Sequence, residues 1–368
     1  MTYAASGAAA LNAICPYFTM FPLEFPQRII ARHARSKQRI LDPFCGRGTT
    51  NFAARLAGLE SVGIDNSPVA AAITAAKLST SDAATVIRIA RGILQSESPV
   101  EVPRGEFWRL AFHPRVLSSI VRLRRSLLAD CSTDARKILN GIILGALHGP
   151  RSKQMASYFS NQCPRTFSPK PRYAVSFWTS QKLLPPEVDV MQVIRRRAKR
   201  FLQPPLVKCQ GECRLGDSRN PDTFGRISTG RDFDWVITSP PYYGMRTYLQ
   251  DQWLRLWFLG GPSVVNYASG GQLNHMSAEA FSDQLATVWA NSLRVCRNSA
   301  RLVIRFGGIR DRMADPLEIV KASLKDGDWR ITNIHEAGSA DCGKRQANAF
   351  LRLRSRPMKE YDIWARVR

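Results

Sequence analysis

The 368-residue sequence predicts a doubly wound, mostly parallel α/β fold with seven strands, interrupted by a large, basic, helical insert. Three observations carry this. Arg39-Ile40-Leu41 is a short apolar run that enters Asp42-Pro43-Phe44-Cys45-Gly46-Arg47-Gly48-Thr49-Thr50 and then an alanine-rich helix through Ala57. That is a strand, a glycine turn and a helix, the first unit of such a fold. Ser61-Val62-Gly63-Ile64-Asp65 reads as a second strand, ending in an acid 17 residues after Gly48 and followed by a helix to about Leu78. The rhythm then stops, and it resumes only at Cys213-Arg214-Leu215-Gly216-Asp217-Ser218.

Taken in order, residues 1–14 are weakly patterned and predict a loose lead-in. Prolines 16, 22 and 26 keep the next stretch extended or turning, and Gln27 to Arg35 predicts a helix with Ile29 and Ile30 inward. Gly46 and Gly48 allow the backbone to approach a ligand closely, and the N–H groups of the following helix start are donors. The turn lacks the three glycines of the dinucleotide fingerprint and the lysine of a phosphate loop. Asp65, with Asn66 beside it, stands where an acid accepts hydrogen bonds from ribose hydroxyls.

Residues 81–206 predict helices at Arg115–Leu128, Ala135–His148 and Val190–Leu202, with a loop-like run from Tyr158 to Arg172. The formal charge of the chain is +24, from 53 Lys and Arg against 29 acids. Residues 101–208 hold 20 basic and 6 acidic side chains, a net of +14, so over half of the excess sits in under a third of the length. Charge concentrated in this way points to a polyanion, most often nucleic acid. Any single arginine there, Arg197 for example, reads first as part of a solvated helix face. Arg151, Lys153, Arg165, Lys170 and Arg172 stand apart because they lie in loop-like sequence beside Tyr158, Phe167 and Tyr173.

After the insert, Asp217, followed by Ser218, ends a strand and can accept from an adenine amine. Phe233, Trp235, Val236 and Ile237 form a buried strand that Pro240 and Pro241 must end. Ser239 is thereby held at a strand's carboxyl end, with Tyr242 just beyond and Tyr243 next to it, where it is expected to contact nucleic acid. A polar pair beside a rigid aromatic face suits a planar base with an exocyclic amine, although Ser-Pro-Pro also occurs in plain turns. Met245–Leu259 and Ala280–Cys296 predict helices, Arg301–Phe306 a strand, Pro316–Leu324 a helix, and Trp329–His335 with Tyr361–Val367 an antiparallel pair.

The eight cysteines have no Cys-x-x-Cys spacing, and no metal site is expected. Scattered thiols, with no apolar run of membrane length and no secretory leader pattern, place the protein in the cytoplasm.

Together these segments resemble the amino-methyltransferases of DNA, and the likeness covers roughly residues 15–80 and 210–368. It rests on Phe21-Pro22-Leu23-Glu24 with the Ile29-Ile30 helix, on the Asp42–Gly48 loop, on Asp65 and Asp217, and on Thr238-Ser239-Pro240-Pro241-Tyr242. The resemblance implies a Rossmann-like methyltransferase sheet and S-adenosylmethionine as cofactor. Phe21, Asp42, Pro43, Phe44, Gly46, Gly48, Asp65, Asn66, Asp217 and Ser218 would hold that cofactor. Residues 15–80 and 207–368 would form the catalytic domain, and 81–206 a target-recognition region.

It further implies a base flipped out of double-stranded DNA, with Tyr242 stacked on it and Ser239 and the Pro240 carbonyl accepting from its amine. A Ser before Pro-Pro-Tyr favours cytosine N4 over adenine N6. The absence of any Pro-Cys disfavours C5 chemistry. RNA base methylation and a non-catalytic, nucleic-acid-binding scaffold are the other readings. A separately encoded restriction nuclease is a partner that the resemblance allows, and oligomeric state stays open.

Overall fold

The computed structural model describes residues 7–17, 21–96, 98–150, 157–164, 169–203, 208–228, 230–244, 249–265, 277–308, 314–339 and 359–368. The chain divides into two compact units. One comprises residues 17–74, 208–246 and 270–368, and the other residues 1–16, 75–207 and 247–269.

The first unit is built on one seven-stranded sheet. Its strands are β1 (Ile40–Asp42), β2 (Ser61–Asp65), β3 (Gly211–Leu215), β4 (Phe233–Thr238), β5 (Cys296–Gly307), β6 (Trp329–Ser339) and β7 (Lys359–Val367). Their order across the sheet is β3-β2-β1-β4-β5-β7-β6. The first five strands run parallel, whereas β7 is antiparallel to both β5 and β6. This is the mostly parallel, doubly wound sheet that the sequence predicts. The order reverses at β1, between β2 and β4, and crevices at such switch points are where open α/β sheets bind ligands.

Both faces of the sheet are covered. Ile40, Trp235, Ile237 and Val303 pack with Phe25, Ile29, Ile30, Ala53 and Ala54 on one side. Leu41, Val62, Val236, Leu302 and Ile304 pack with Phe281, Leu285, Val288 and Ile319 on the other. Central strands buried on both faces explain why these runs are continuously apolar instead of alternating.

The second unit is helical. Its main helices are Ala83–Leu94, Pro114–Ala129, Asp134–Ala146, Pro171–Ser180, Val190–Phe201 and Leu249–Phe258. The segment read as a loose lead-in forms a 3₁₀ turn, Gly7–Ala13, and buries Leu11, Ile14 and Cys15 completely. Its backbone lies directly on the Asp134–Ala146 helix. A Cβ at Gly145 would stand 2.3 Å from the Ile14 carbonyl oxygen, so only glycine admits this approach.

Leu249–Phe258 follows the Ser-Pro-Pro-Tyr turn in sequence but packs with the helical unit. Trp108 and Trp257 rings meet there at 4.5 Å, Arg124 Nε donates to the Trp257 carbonyl at 2.7 Å, and Arg255 Nε donates to the Leu144 carbonyl at 3.2 Å. Aromatic bulk and two inward-turned arginines hold it there. Among the described residues, no helix is long and apolar enough to cross a membrane.

Candidate active site

The site forms at the carboxyl ends of β1, β2 and β4, within the sheet unit. Three strand-to-helix turns meet there, and their side chains interlock.

Asp42 ends β1 fully buried. Its Oδ1 accepts from the Thr238 hydroxyl at 2.6 Å and from the Phe44 N–H at 3.1 Å. Its other oxygen, Oδ2, has no hydrogen-bond partner among the described residues. Burial pushes this carboxyl up to about 6, against the stabilising pull of the Thr238 hydroxyl and the Phe44 N–H. A buried carboxylate oxygen without a partner is costly, and a cation or donor placed beside it would remove that cost.

The loop after Asp42 is held from several sides. Gly46 and Gly48 have positive φ, +52° and +69°. A Cβ at Gly48 would meet Thr74 atoms at 2.6 Å, whereas a Cβ at Gly46 would meet nothing within 4 Å. Gly48 is therefore needed for packing, while Gly46 faces open space that backbone groups can line. The Gly46 N–H donates to Asp65 Oδ2 at 2.9 Å, and the Gly46 carbonyl accepts from Thr74 at 3.0 Å.

Asp65 ends β2 and braces two turns at once, since Oδ1 accepts the Ser67 N–H at 2.8 Å. Burial raises its carboxyl to about 6, against those two N–H bonds. Asn66 beside it is exposed, Pro43 is buried, and Phe44 stands edge-on to Trp289 with centroids 6.1 Å apart. Phe21 packs edge-on against Phe25 at 5.5 Å, which places it over the apolar face beside β1.

Two β3-end residues differ from the sequence expectation. Asp217 is already forked by Arg219, whose Nη2 lies 2.6 Å from Oδ2 and whose Nε lies 3.0 Å from Oδ1, with the Arg219 N–H at 2.9 Å. These bonds hold the Asp217 carboxyl below its ordinary value. The expected adenine contact therefore has to share this carboxylate with an arginine two residues away. Ser218 is buried and tied inward, donating to the Pro43 carbonyl at 2.6 Å and accepting from Asn291 at 3.2 Å through its own carbonyl. It positions the glycine loop.

At the end of β4, Ser239 and Pro241 are half-buried and Pro240 is buried. Tyr242 is not the open shelf that the sequence suggests, being only 6% exposed. Its ring lies edge-on to Phe306 with centroids 5.4 Å apart, and close to Gly307, where a Cβ would stand 3.1 Å from the ring. Its hydroxyl donates to the buried carboxylate of Glu360. Tyr243, taken as a nucleic-acid contact, also turns inward, 8% exposed and edge-on to Phe281 at 5.5 Å. The apolar wall formed by β5 and the Ala278–Arg294 helix draws both rings in.

Sequence reasoning missed the charged layer beneath Tyr242. Glu360 and Asp362 lie two apart on β7, opposite Gly307 and Arg305 on β5. Arg305 grips Asp362 with both arms, at 2.7 and 2.8 Å, and stacks over Phe25 at 4.0 Å. Arg28 reaches the same Asp362 side chain at 3.3 Å. The only sequence signal is the Glu-x-Asp alternation in a strand whose other face is apolar.

In the helical unit, Arg151, Lys153, Arg165 and Phe167 lie outside the described residues. Lys170 and Arg172 are exposed at the start of Pro171–Ser180, beside Tyr173, which is 51% exposed and stacked on Phe177. Tyr158 packs under Arg197, with the guanidinium 5.1 Å from its ring centroid. Arg197 is not on a solvated face, because it also donates to the Ser157 carbonyl at 3.0 Å. Among the described residues, no three His, Cys, Asp or Glu side chains converge as a metal ion would need.

Residues 6–76 match the model of a protein family described as DNA methylase, a span that includes Asp42, the glycine loop and Asp65. No curated protein matched the chain. Among solved structures, the chain is similar to the rRNA methyltransferase aviRa from Streptomyces viridochromogenes, at 12% identity and a TM-score of 0.36, covering 98% of this chain and 94% of that one. A TehB-like SAM-dependent methyltransferase from Corynebacterium glutamicum matches at 9% identity and a TM-score of 0.32, over 93% and 87% of the two chains. A SAM-dependent methyltransferase from Methanosarcina mazei matches at 9% and 0.34, over 94% and 97%. Scores this low leave the fold to be read from the strand order itself, and the sequence likeness of this chain is to the DNA methylase family, over its first strand–turn–helix units.

Proposed function

We propose that this protein transfers a methyl group from S-adenosylmethionine to an exocyclic amine of a DNA base, with cytosine N4 as the first reading and adenine N6 as the second. One observation carries the proposal. The Thr238–Asp42 hydrogen bond sets the glycine loop and the Ser-Pro-Pro-Tyr turn side by side at the ends of adjacent parallel strands. The match of residues 6–76 to the DNA methylase model supports it.

The residues present suit that cofactor. Asp42 Oδ2, buried and unpartnered among the described residues, would receive the ammonium of its methionine end. Asp65 keeps lone pairs beyond those engaged by Gly46 and Ser67, and would accept from ribose hydroxyls. Phe21 and Phe44 would flank it. When bound, S-adenosylmethionine supplies an electrophilic methyl group.

The work left to the chain is orientation. A conjugated amine is a weak nucleophile, and holding it in line contributes the larger part of the rate. Ser239 and the Pro240 carbonyl accept its two N–H bonds and turn its lone pair out of conjugation. Tyr242, held by Glu360, forms a fixed wall of the base pocket rather than a mobile shelf. Burial of that wall excludes water from the amine. Lys170 and Arg172, with Arg151, Lys153 and Arg165, would meet the DNA phosphates. A cytoplasmic location is part of the proposal, and the enzyme would act alone or as the modifying half of a pair with a separately encoded nuclease.

Labelled methyl transfer to plasmid DNA, followed by identification of the modified base and its context, tests the whole reading. Incorporation into cytosine N4 is expected. Transfer to RNA alone, or tight cofactor binding with no transfer at all, would favour RNA methylation or the scaffold instead.

A further inference from the structure

The glycine loop carries a thiol that the proposed chemistry does not use. Cys45 is buried beside Gly46, and its Sγ lies 3.5 Å from the Sγ of Cys213 on β3, so the two sulfurs touch. A glycine makes that meeting possible. Gly63 on β2 pairs with Cys213, and a Cβ at Gly63 would stand 2.8 Å from the Cys45 Cβ and 2.9 Å from its Sγ. With no side chain there, Cys45 reaches across β2 to the next strand. Alternation along β3 turns Cys213 toward it, while Glu212 and Arg214 pair with each other at 3.1 Å on the opposite face. β3 is the edge strand of the sheet, and Cys213 is half-buried there.

We propose that Cys45 and Cys213 form a reversible disulfide, made by hydrogen peroxide, that lowers the affinity of the glycine loop for the cofactor. The inference rests on the cofactor proposed above and adds a redox control to it. Cys213 attacks one peroxide oxygen, the O–O bond breaks, and Cys213 becomes a sulfenic acid as water leaves. The Cys45 sulfur then displaces the hydroxyl from the Cys213 sulfur, and that hydroxyl leaves as water with the Cys45 proton. Two thiols supply two electrons, and one peroxide gives one disulfide and two waters. Burial holds the Cys45 thiol well above its ordinary value, so Cys213 is the sulfur that reacts first. A disulfide holds its sulfurs about 2.05 Å apart, so bridging draws this pair about 1.5 Å closer. Cys45 has little slack. Its N–H donates to the Ile64 carbonyl at 3.0 Å, and its carbonyl accepts from the Gly48 N–H at 2.7 Å. The next residue, Gly46, donates to Asp65, the acid assigned to the ribose, and accepts from Thr74. A pull on Cys45 toward β3 therefore moves the contacts that shape the cradle. In a reducing compartment such a bridge is transient, as a sensor requires.

The test uses the full chain as wild type, Cys213→Ser and Cys209→Ser, each reduced or treated with hydrogen peroxide. Trypsin cuts after Lys208 and Arg214 and leaves Cys209 and Cys213 on one peptide, so Cys209→Ser assigns the bridge. Mass spectrometry is expected to find the Cys45 peptide linked to that peptide in oxidised wild type and Cys209→Ser, and not in Cys213→Ser. Dithiothreitol is expected to break the link. Calorimetry is expected to show S-adenosylhomocysteine binding about five- to a hundredfold weaker in oxidised wild type, with recovery on reduction. Cys213→Ser is expected to keep its reduced affinity under peroxide, and its thermal midpoint checks that it is folded. The wild-type arms decide the question without any variant. Cys45 and Cys213 left as free thiols, or Cys213 carried on to a sulfinic acid with Cys45 unlinked, would overturn the bridge. A bridge that leaves the affinity unchanged would overturn its control of the loop. Both outcomes leave the proposed function standing. Reduced wild-type protein that does not bind S-adenosylhomocysteine would sink that function and this control together.

Discussion

The Thr238 hydroxyl donates to Asp42 Oδ1 at 2.6 Å, and this one bond fastens the end of β4 to the end of β1. A neutral hydroxyl on a buried carboxylate is worth about 1.5–3 kcal/mol, more than a bond between neutral groups. Thr238→Val keeps the shape and removes the donor. It is expected to destabilise the sheet unit by about 2 kcal/mol in urea unfolding, and to weaken S-adenosylhomocysteine binding in calorimetry as the two turns lose their common anchor.

Asp42 and Asp65 both titrate at about 6 in the folded protein, against an ordinary value of 3.8. A cofactor ammonium and ribose hydroxyls need ionised acceptors, so cofactor affinity is expected to rise between pH 5 and pH 7. Stability of the ligand-free protein moves the other way. Between about pH 4 and 6 the native state holds protons that the unfolded chain has released, so each carboxyl lowers stability as pH rises, by up to about 1.4 kcal/mol per unit. Calorimetry and urea midpoints across this range check both trends, and Asp42→Asn is expected to flatten each.

In the helical unit, His148 has the opposite sign. Its Nδ1 lies 2.7 Å from the Ser160 hydroxyl oxygen, and burial, with the Arg255 charge nearby, depresses its pKa to about 3. Between about pH 3 and 6.5 the unfolded chain binds a proton that the native unit refuses. Stability is therefore lost as pH falls from 6.5, by about 2 kcal/mol at pH 5. Hydrogen exchange that separates the two units is expected to show the helical one weakening on acidification while the sheet unit gains, and His148→Gln is expected to remove the helical response.

The Arg305–Asp362 pair is buried at both ends. Removing one partner strands the other charge, so Asp362→Asn is expected to cost about 3–5 kcal/mol. The paired change Arg305→Met with Asp362→Leu is expected to recover most of that. Recovery of stability without activity would separate the role of this pair in the fold from any role in catalysis.

Lys170→Gln with Arg172→Gln is expected to lower DNA affinity and to reduce the slope of log affinity against log salt by about 0.9 for each phosphate that is no longer neutralised. Filter binding across a salt series measures this. An unchanged slope would remove the start of Pro171–Ser180 from the interface.

Where local pattern and burial agree, the sequence was legible to the residue. Ser61–Asp65 and Pro316–Leu324 form as their apolar spacing predicts, and the antiparallel β6–β7 pair is where alternation put it. Asp42, Gly46 and Asp65 converge as expected, because turn chemistry at strand ends is encoded locally. The remainder depended on register. Glu360 and Asp362 look like solvent-face charges until β7 is laid against β5, which sets them opposite Gly307 and Arg305. The inward turn of Tyr242 follows from that pairing, 118 residues away in sequence. Arg219 on Asp217 is a local competitor, visible as an acid and an arginine two residues apart, and it changes which partner that acid already has.

The place of β7 between β5 and β6 also bears on the order in which the molecule is made. During synthesis the glycine loop, the acids at β1 and β2 and the Ser-Pro-Pro turn all emerge before the strand that anchors Tyr242. Long-range pairings of this kind form late, because loop closure must precede any gain from packing. A nascent chain could thus have a formed cofactor cradle while the proposed base pocket still lacks a wall. Methyl transfer would begin only after residues 359–367 have threaded into the sheet, so catalytic competence reports on completed folding.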